Sequence, residues 1–316
     1  MMSKSMKKKK ILVVQGGISS EREISLKSGK ACIRALRQLK HKVLIFDPAK
    51  EHFSKIKQYK KKVDLIFNAL HGRDGEDGIA QSYFEYFKIP YTHSGVISSM
   101  NAMDKIIAKK IFKKNNLLTP NYISLNAVNY KEKLKEKITR NLNFNYPMVV
   151  KPSNEGSSIG VEVCKNFEQL KISINKLIKN YKTLIVESYI AGQEIQAAVI
   201  NGKALGAIEL QPRRKFYDYK AKYSKSALTK HIMPASLSKK QYSKVLKLSE
   251  KVHKVFKCRG VTRSDYKLIK NKFYLLEINT QPGMTNLSLV PEIAKYAGIS
   301  FKELVKKIID DASTNR

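Results

Sequence analysis

The sequence predicts an α/β chain of two or three compact units, the first of them an open unit around a parallel sheet. Three observations carry this. At 316 residues the chain is too long for one ordinary core, and its 42% apolar content supports globular folding. Roughly the first hundred residues alternate short apolar runs with helical periodicity, the βαβ signature of a parallel sheet. The rest places strands in hairpins around tight turns, with amphipathic helices between them.

Ile11 to Val14 reads as a buried strand, followed by Gly16-Gly17. Ser20-Glu21-Arg22-Glu23 then has the spacing of a capping box, and the helix it opens continues through Ile24, Cys32, Ala35, Leu36 and Leu39. Val43 to Phe46 and Val63 to Asn68 are further short apolar runs of parallel-strand character, and Gly78 to Phe87 reads as a helix. In such sheets ligands collect at the carboxyl ends of the strands, which is where Glu21 and the loop HGRDGEDG (His71 to Gly78) fall. Strand, two glycines and helix suggest dinucleotide binding, but the G-x-G-x-x-G spacing is absent and that reading is set aside.

A helix is expected from about Asn101 to Asn116, ended by Thr119-Pro120, then a strand, a Lys/Glu-rich helix and the strand Met148 to Lys151. The loop SNEGSSIG (Ser153 to Gly160) follows, and its glycines and serines allow close backbone approach to a phosphate, with Lys151 supplying charge. The P-loop signature occurs nowhere. Thr183 to Ser188 is a strand, Asn201-Gly202 a hairpin turn, and 211–240 a long irregular stretch whose aromatics argue against plain disorder. Lys239 to Phe256 is amphipathic, and helices near Pro291 and Phe301 close the chain.

The chemistry concentrates in Phe273 to Leu289, FYLLEINTQPGMTNLSL. Strand alternation puts Glu277 and Asn279 on one face. With the turn at Asn271, Asp265 lies opposite Glu277 and Arg263 opposite Asn279. Two carboxylates and an amide oxygen suit a hard divalent cation. The alternative reading is the polar outer face of an antiparallel hairpin.

The formal net charge of +35 raises nucleic-acid or membrane binding as a possibility. The lysines and arginines, however, are dispersed along the chain rather than gathered in a stripe. Runs such as Lys105 to Lys114 read as solvated helix faces. No RNA-binding aromatic signature, zinc finger or recognition helix accompanies them, so the expectation is a lysine-rich surface that speeds the arrival of anionic substrates. Cys32, Cys164 and Cys258 lack CxxC spacing and indicate neither a disulfide framework nor a zinc site. The basic N-terminus precedes too short an apolar run for a signal peptide, and no stretch approaches membrane-spanning length.

Together, HGRDGEDG, MDK, KPSNEGSSIG, FYDYKAKY, the Arg263/Asp265 pair and LLEINTQPGMTNLSLVP resemble the D-alanine–D-alanine ligases of the ATP-grasp superfamily, in order and separation from about Lys10 to Asp310. The resemblance implies an α/β, three-domain ATP-grasp fold: an N-terminal open parallel α/β domain (1–98), then central (99–187) and C-terminal (188–316) α+β domains enclosing the nucleotide, with a catalytic loop at 211–240. It implies ATP-dependent joining of two D-alanines through a D-alanyl phosphate, for peptidoglycan precursor synthesis in the cytoplasm. A homodimer formed through the N-terminal unit is also implied, with no nucleic-acid partner and no membrane insertion.

Carried over residue by residue, the resemblance implies that Asp265, Glu277 and Asn279 hold two Mg²⁺ or Mn²⁺ ions, and that Lys105 and Lys151 contact the ATP phosphates. Glu187 and Ile190 would contact the nucleotide, and Glu194 its ribose. Glu21 would receive the ammonium of the first D-alanine, with His71 and Lys222 also binding substrate, and Ser288 and Leu289 the carboxylate of the second. Ser288 also lies close to the expected start of the helix near Pro291, where free N–H groups attract anions. Arg263 and the Gly283 backbone would stabilise an oxyanion, and Glu21, Ser157 and Tyr223 would bridge the closed loop.

Several positions depart from the family pattern. Ser188 stands where relatives often carry lysine, Arg263 sits in TRSD rather than GRxD, Gln281 replaces a usual serine, and Leu287 replaces a polar residue or histidine. Residue reading alone leaves His71 open to an ordinary loop role. The alternative functions are an ATP-grasp ligase joining D-alanine to D-lactate or D-serine, with the Tyr223 hydroxyl counting against the D-lactate product, and a basic nucleic-acid binder with a decayed ligase site.

Overall fold

The structure is a computed structural model that describes residues 8–128, 130, 145–212 and 229–316. The expected Lys/Glu-rich helix before Met148 and the aromatic stretch Phe216 to Tyr223, with Lys222 and Tyr223, lie outside the described residues.

β1 (Lys10–Val14) is the middle of a three-stranded parallel sheet, flanked by β2 (Lys42–Phe46) and β3 (Leu65–Asn68). Its interior position explains why Ile11 to Val14 are apolar without alternation, since both faces are covered. One face packs on α1 (Arg22–Gln38), through Cys32, Ala35 and Leu36. The other packs on α2 (Ile79–Tyr86), through Ala80 and Phe84. The α1 start corrects the expected capping box. Glu21 is the N-cap residue but its side chain makes no capping bond, and the Ser19 hydroxyl, not that of Ser20, accepts the Glu21 N–H at 3.2 Å. Glu21 is thereby left to face the cleft beside the sheet.

The helix expected over 101–116 is two helices, α3 (Val96–Met103) and α4 (Lys105–Lys114). Asp104 breaks it: its backbone is extended and its carboxylate caps α4 by accepting the N–H groups of Ile106 and Ile107 at 2.8 and 3.1 Å. Lys105 therefore sits at the first turn of a new helix.

β4 (Tyr122–Asn126), β5 (Met148–Pro152), β6 (Glu162–Cys164) and β7 (Thr183–Ser188) form an antiparallel sheet in the order β4-β7-β5-β6, backed by α5 (Phe167–Leu177). A five-stranded antiparallel sheet follows, in the order β10-β9-β8-β11-β12, from β8 (Gln193–Ile200), β9 (Lys203–Gln211), β10 (Lys230–Ile232), β11 (Val261–Ile269) and β12 (Lys272–Asn279). α6 (Lys239–Val255) lies against it and starts with a full capping box between Ser238 and Gln241. α7 (Leu289–Tyr296) and α8 (Phe301–Asp310) then return to the first sheet, where Leu304, Val305 and Ile308 share a core with Ile11, Val13 and Leu36. Val290 and Ile293 of α7 join Ala198 and Ile208 to that same core, so the first and last sheets are packed as one body.

Asp265 pairs with Glu277 and Arg263 with Asn279, as the hairpin reading expects. The turn is tighter than that reading: Ile269 pairs with Lys272, and Lys270 and Asn271 both have positive φ. The register then shifts by one between Asp265 and Tyr266, which restores the expected pairing at the acidic end.

Candidate active site

Two contiguous clefts, of about 860 and 810 Å³ with their open mouths, meet at the acidic end of this hairpin. Lys105, Glu155 and Glu277 line both. The second cleft runs between the central and C-terminal sheets, and the first opens toward the first sheet and α1.

Every sequence-predicted site residue within the described set faces one cleft or the other. Lys105, Lys151, Glu187, Ile190, Glu194, Asp265 and Glu277 line the second cleft. Glu21, His71, Ser157, Arg263, Asn279, Gly283, Ser288 and Leu289 line the first. Lys222 and Tyr223 lie outside the described residues.

In the second cleft, Glu187 is 3% exposed and lies between two ammonium groups. Lys151 Nζ donates to its Oε1, and Lys109 Nζ is 2.8 Å from its Oε2. Burial alone would raise the Glu187 carboxyl, but the two lysines hold it down to about 2. Burial pulls the Lys109 ammonium down to about 8, against the attraction of Glu187. Glu187 and Lys109 therefore face each other as an ion pair at neutral pH. Glu194 meets Lys267 Nζ at 3.0 Å at the far end of this cleft.

Lys109 was missed in the sequence. Lys105 and Lys109 look like members of a solvated lysine run, yet with Ala108 and Phe112 they form the buried stripe of α4. The usable signal is spacing, because i, i+3, i+4, i+7 from Lys105 gives those four residues.

At the junction, Lys105 Nζ donates to the Glu155 carbonyl and sits 3.8 Å from Glu277 Oε2. Burial raises the Glu155 carboxyl, and Lys105 opposes the rise. Asp265 is gripped by Arg263 through two bonds of 2.8 and 2.9 Å, and Asn279 Oδ1 accepts the Gln281 N–H at 2.8 Å. Among the described residues no group of three or more His, Cys, Asp or Glu is gathered for a metal. The oxygen donors here are two carboxylates and an amide, a set that suits a hard ion completing its shell with phosphates and water.

In the first cleft, Gly156 brings the 153–160 loop onto Glu21: a Cβ there would lie 2.5 Å from Glu21 Oε1. Ser157 and Ser158 beside it both have positive φ, a turn geometry that presents successive N–H groups. His71 is buried, with Nδ1 3.2 Å from Glu76 Oε1 and Nε2 2.9 Å from Ser28 Oγ. Burial raises the Glu76 carboxyl while His71 opposes it. Glu76 and Gln196 also line this cleft and were not singled out in the sequence, although Glu76 lies inside HGRDGEDG.

Ser288 is the N-cap residue of α7, which starts at Leu289, earlier than the Pro291 start expected; Pro291 lies in the first turn, where no N–H is needed. The Ser288 hydroxyl accepts the Thr285 N–H at 2.9 Å instead of capping. A Cβ on Gly283 would lie 2.8 Å from that hydroxyl.

The family profile of the D-ala D-ala ligase C-terminus matches residues 111–310, and that of the D-ala D-ala ligase N-terminus matches residues 47–94. The chain belongs to the D-alanine–D-alanine ligase family. It is 54% identical over 308 residues to the D-alanine–D-alanine ligase of Pelagibacter ubique, covering 98% of this chain and 99% of that protein. The enzyme of that name from Rickettsia felis is 43% identical, covering 97% and 92%.

Among solved structures, the D-alanine–D-alanine ligase of Bacillus anthracis complexed with ATP superposes with a TM-score of 0.82 at 30% identity, covering 96% of this chain and 97% of that one. The VanG D-Ala:D-Ser ligase of Enterococcus faecalis superposes at 0.84 with 27% identity, covering 96% and 99%. The α/β ATP-grasp fold expected from the resemblance is the fold observed.

Proposed function

We infer that the protein joins two D-alanines in an ATP-dependent reaction that yields D-alanyl-D-alanine, ADP and phosphate, a step of peptidoglycan precursor synthesis. The observation that carries the reading is the pair of clefts sharing Lys105, Glu155 and Glu277, which joins a groove lined by Val149, Ile159 and Ile190 to a polar chamber lined by Glu21, His71 and Arg263. No helix among the described residues is long and apolar enough to cross a membrane. A cytoplasmic location belongs to the same reading.

In this reading ATP occupies the second cleft, its base against Ile190 and Val149, its ribose at Glu194, and its phosphates toward Lys151 and Lys105. The Glu187 carboxylate would orient Lys151 and contact the base edge. Asp265, Glu277 and Asn279 would hold two divalent ions at the junction, and Mg²⁺ or Mn²⁺ there would neutralise charge on the phosphates. Arg263 would then shift part of its pairing away from Asp265 toward the reacting carbonyl.

The first D-alanine lies in the first cleft with its ammonium at Glu21 and the His71–Glu76 pair behind it. Its carboxylate oxygen attacks the γ-phosphorus and ADP leaves. The second D-alanine, its carboxylate at Ser288 and the α7 N-terminus, attacks the resulting acylphosphate carbon with its amine, and phosphate departs. Arg263 and the Gly283 N–H face the developing oxyanion. Closure by the loop carrying Lys222 and Tyr223 would exclude water from the acylphosphate. The division into units at 1–98, 99–187 and 188–316, and a homodimer through the first, belong to the same reading.

Purified protein with ATP, Mg²⁺ and D-alanine is expected to release phosphate only when D-alanine is present and to form the dipeptide. ATP cleavage indifferent to the amino acid would contradict the reading. Mixed D-alanine, D-serine and D-lactate should give D-alanyl-D-alanine as the main product, in keeping with the names of the relatives above.

A further inference from the structure

We propose that Gln281 is a positioning residue that fixes the distance between the two amino-acid subsites by tying the β3 loop of the first unit to the turn after β12. The proposal rests on the function inferred above.

Gln281 is 2% exposed, in the NTQPG turn between Asn279 and Gly283. Its side chain crosses to the first unit, where Nε2 donates to the Leu70 carbonyl and Oε1 accepts from Asn68 Nδ2 at 2.8 Å. Leu70 is the residue immediately before His71. Asn68 is wholly buried at the end of β3, and its Nδ2 also donates to the Gly75 carbonyl at 3.2 Å, where Gln81 Nε2 donates at 2.8 Å.

On the other side, the Gln281 N–H holds Asn279 Oδ1 at 2.8 Å. One residue therefore fixes the backbone beside His71, at the first subsite, and the turn that carries Gly283 toward Ser288, at the second. A parallel tie runs through Ser28, whose Oγ accepts the Met284 N–H at 3.1 Å and meets His71 Nε2 at 2.9 Å.

A serine at position 281 would be too short to reach both Leu70 and Asn68, so this connection depends on the longer side chain. Amide formation needs the incoming nitrogen about 3–3.5 Å from the acyl carbon, and about 1 Å of misplacement costs on the order of 100-fold. The first half-reaction depends less on this tie, because among the described residues the Gln281 side chain bonds only Asn68 and Leu70 and touches neither Lys105 nor Lys151 at the phosphates. Loosening the tie should therefore slow aminolysis while acylphosphate still forms. Water then attacks the acyl carbon, phosphate leaves, and D-alanine is regenerated with ATP spent.

The test is the ratio of phosphate to dipeptide, measured with the ATP KM and the melting temperature, for wild type, Gln281→Met, Gln281→Ser, Asn68→Ala and the double variant Gln281→Met/Asn68→Ala. Gln281→Met keeps the shape of the side chain without its hydrogen bonds. Wild type should give a ratio of about one, because the closed site excludes water. Gln281→Met should raise the excess of phosphate over dipeptide, taken per dipeptide, about tenfold, the change made by about 1.4 kcal/mol in the aminolysis barrier, with the ATP KM held. Gln281→Ser should behave alike if Gln281→Met does not fold. Asn68→Ala should raise the ratio too, and the double variant should be no worse than the more affected single one, because the two changes break the same connection.

A ratio that stays near that of wild type in every variant, or a fall in dipeptide and phosphate formation in proportion, would overturn the proposal. Failure of wild type to make dipeptide at all would instead overturn the functional reading.

Discussion

Lys109→Met removes the ammonium that shares Glu187 with Lys151, and its effect divides into two measurable parts. Lys109 Nζ is 2.8 Å from Glu187 Oε2 and 2.7 Å from Thr119 Oγ1, in a wholly buried position. Removing one partner of a buried ion pair costs about 3–5 kcal/mol. Glu187 keeps Lys151, and the cost of burying the Lys109 charge disappears, so the net loss should be about 2–3 kcal/mol, a fall of roughly 4–8 °C in Tm.

The second part is electrostatic. Two lysines and one glutamate carry a net +1 beside the nucleotide cleft, and Lys109→Met reduces it to zero. At an effective dielectric of about 20 a unit charge near the phosphates is worth about 1–2 kcal/mol, so the ATP KM should rise roughly tenfold while the D-alanine KM moves little. Initial rates with varied ATP, together with thermal melts, measure both parts. Adding Glu187→Gln restores the net +1 and should recover part of the ATP KM. An unchanged KM and Tm in Lys109→Met, or a double variant as poor as the sum of the singles, would refute the reasoning.

Glu277→Gln, at the junction of the clefts, should lose most turnover with its Tm within a few degrees of wild type; undiminished kinetics would remove the hairpin from the active site. Gly156→Ala should raise the D-alanine KM, because the new methyl meets Glu21 Oε1 at 2.5 Å; steady-state rates with varied D-alanine would show it. Acid should destabilise the fold through two buried histidines. Burial lowers His93 to about 3 and His253 to about 4, so between pH 6.5 and about 4 the unfolded chain binds more protons and stability falls as pH falls. The slope is up to about 1.4 kcal/mol per pH unit for each histidine, readable as a lower urea midpoint at pH 5 than at pH 7, and His93→Gln should lessen it.

Much of the site was legible because its residues are local or strand-paired. Asp265, Glu277, Arg263 and Asn279 follow from a two-residue turn and the side-chain period of a strand, although the register comes out right only because a bulge offsets a tighter turn than expected. The parallel strands of the first unit were legible because both faces are apolar.

What escaped the sequence depends on distant partners. The break at Asp104 needs an extended residue inside an unbroken helical pattern, and burial of Lys109 needs Glu187, 78 positions further along the sequence. Composition also misleads at Lys105 to Lys114, because a lysine paired with a buried carboxylate looks like any other in a sequence with 61 Lys and Arg. Glu21 inverts a local rule: it sits at a helix cap without capping, and its carboxylate serves the cleft instead.

The most direct test of the account is product formation by the purified protein with ATP, Mg²⁺ and D-alanine, scored as dipeptide per ADP. The account predicts D-alanyl-D-alanine and ADP in equal amounts, with no ADP above background when D-alanine is omitted. ADP release at the same rate with and without D-alanine, and no dipeptide, would contradict it.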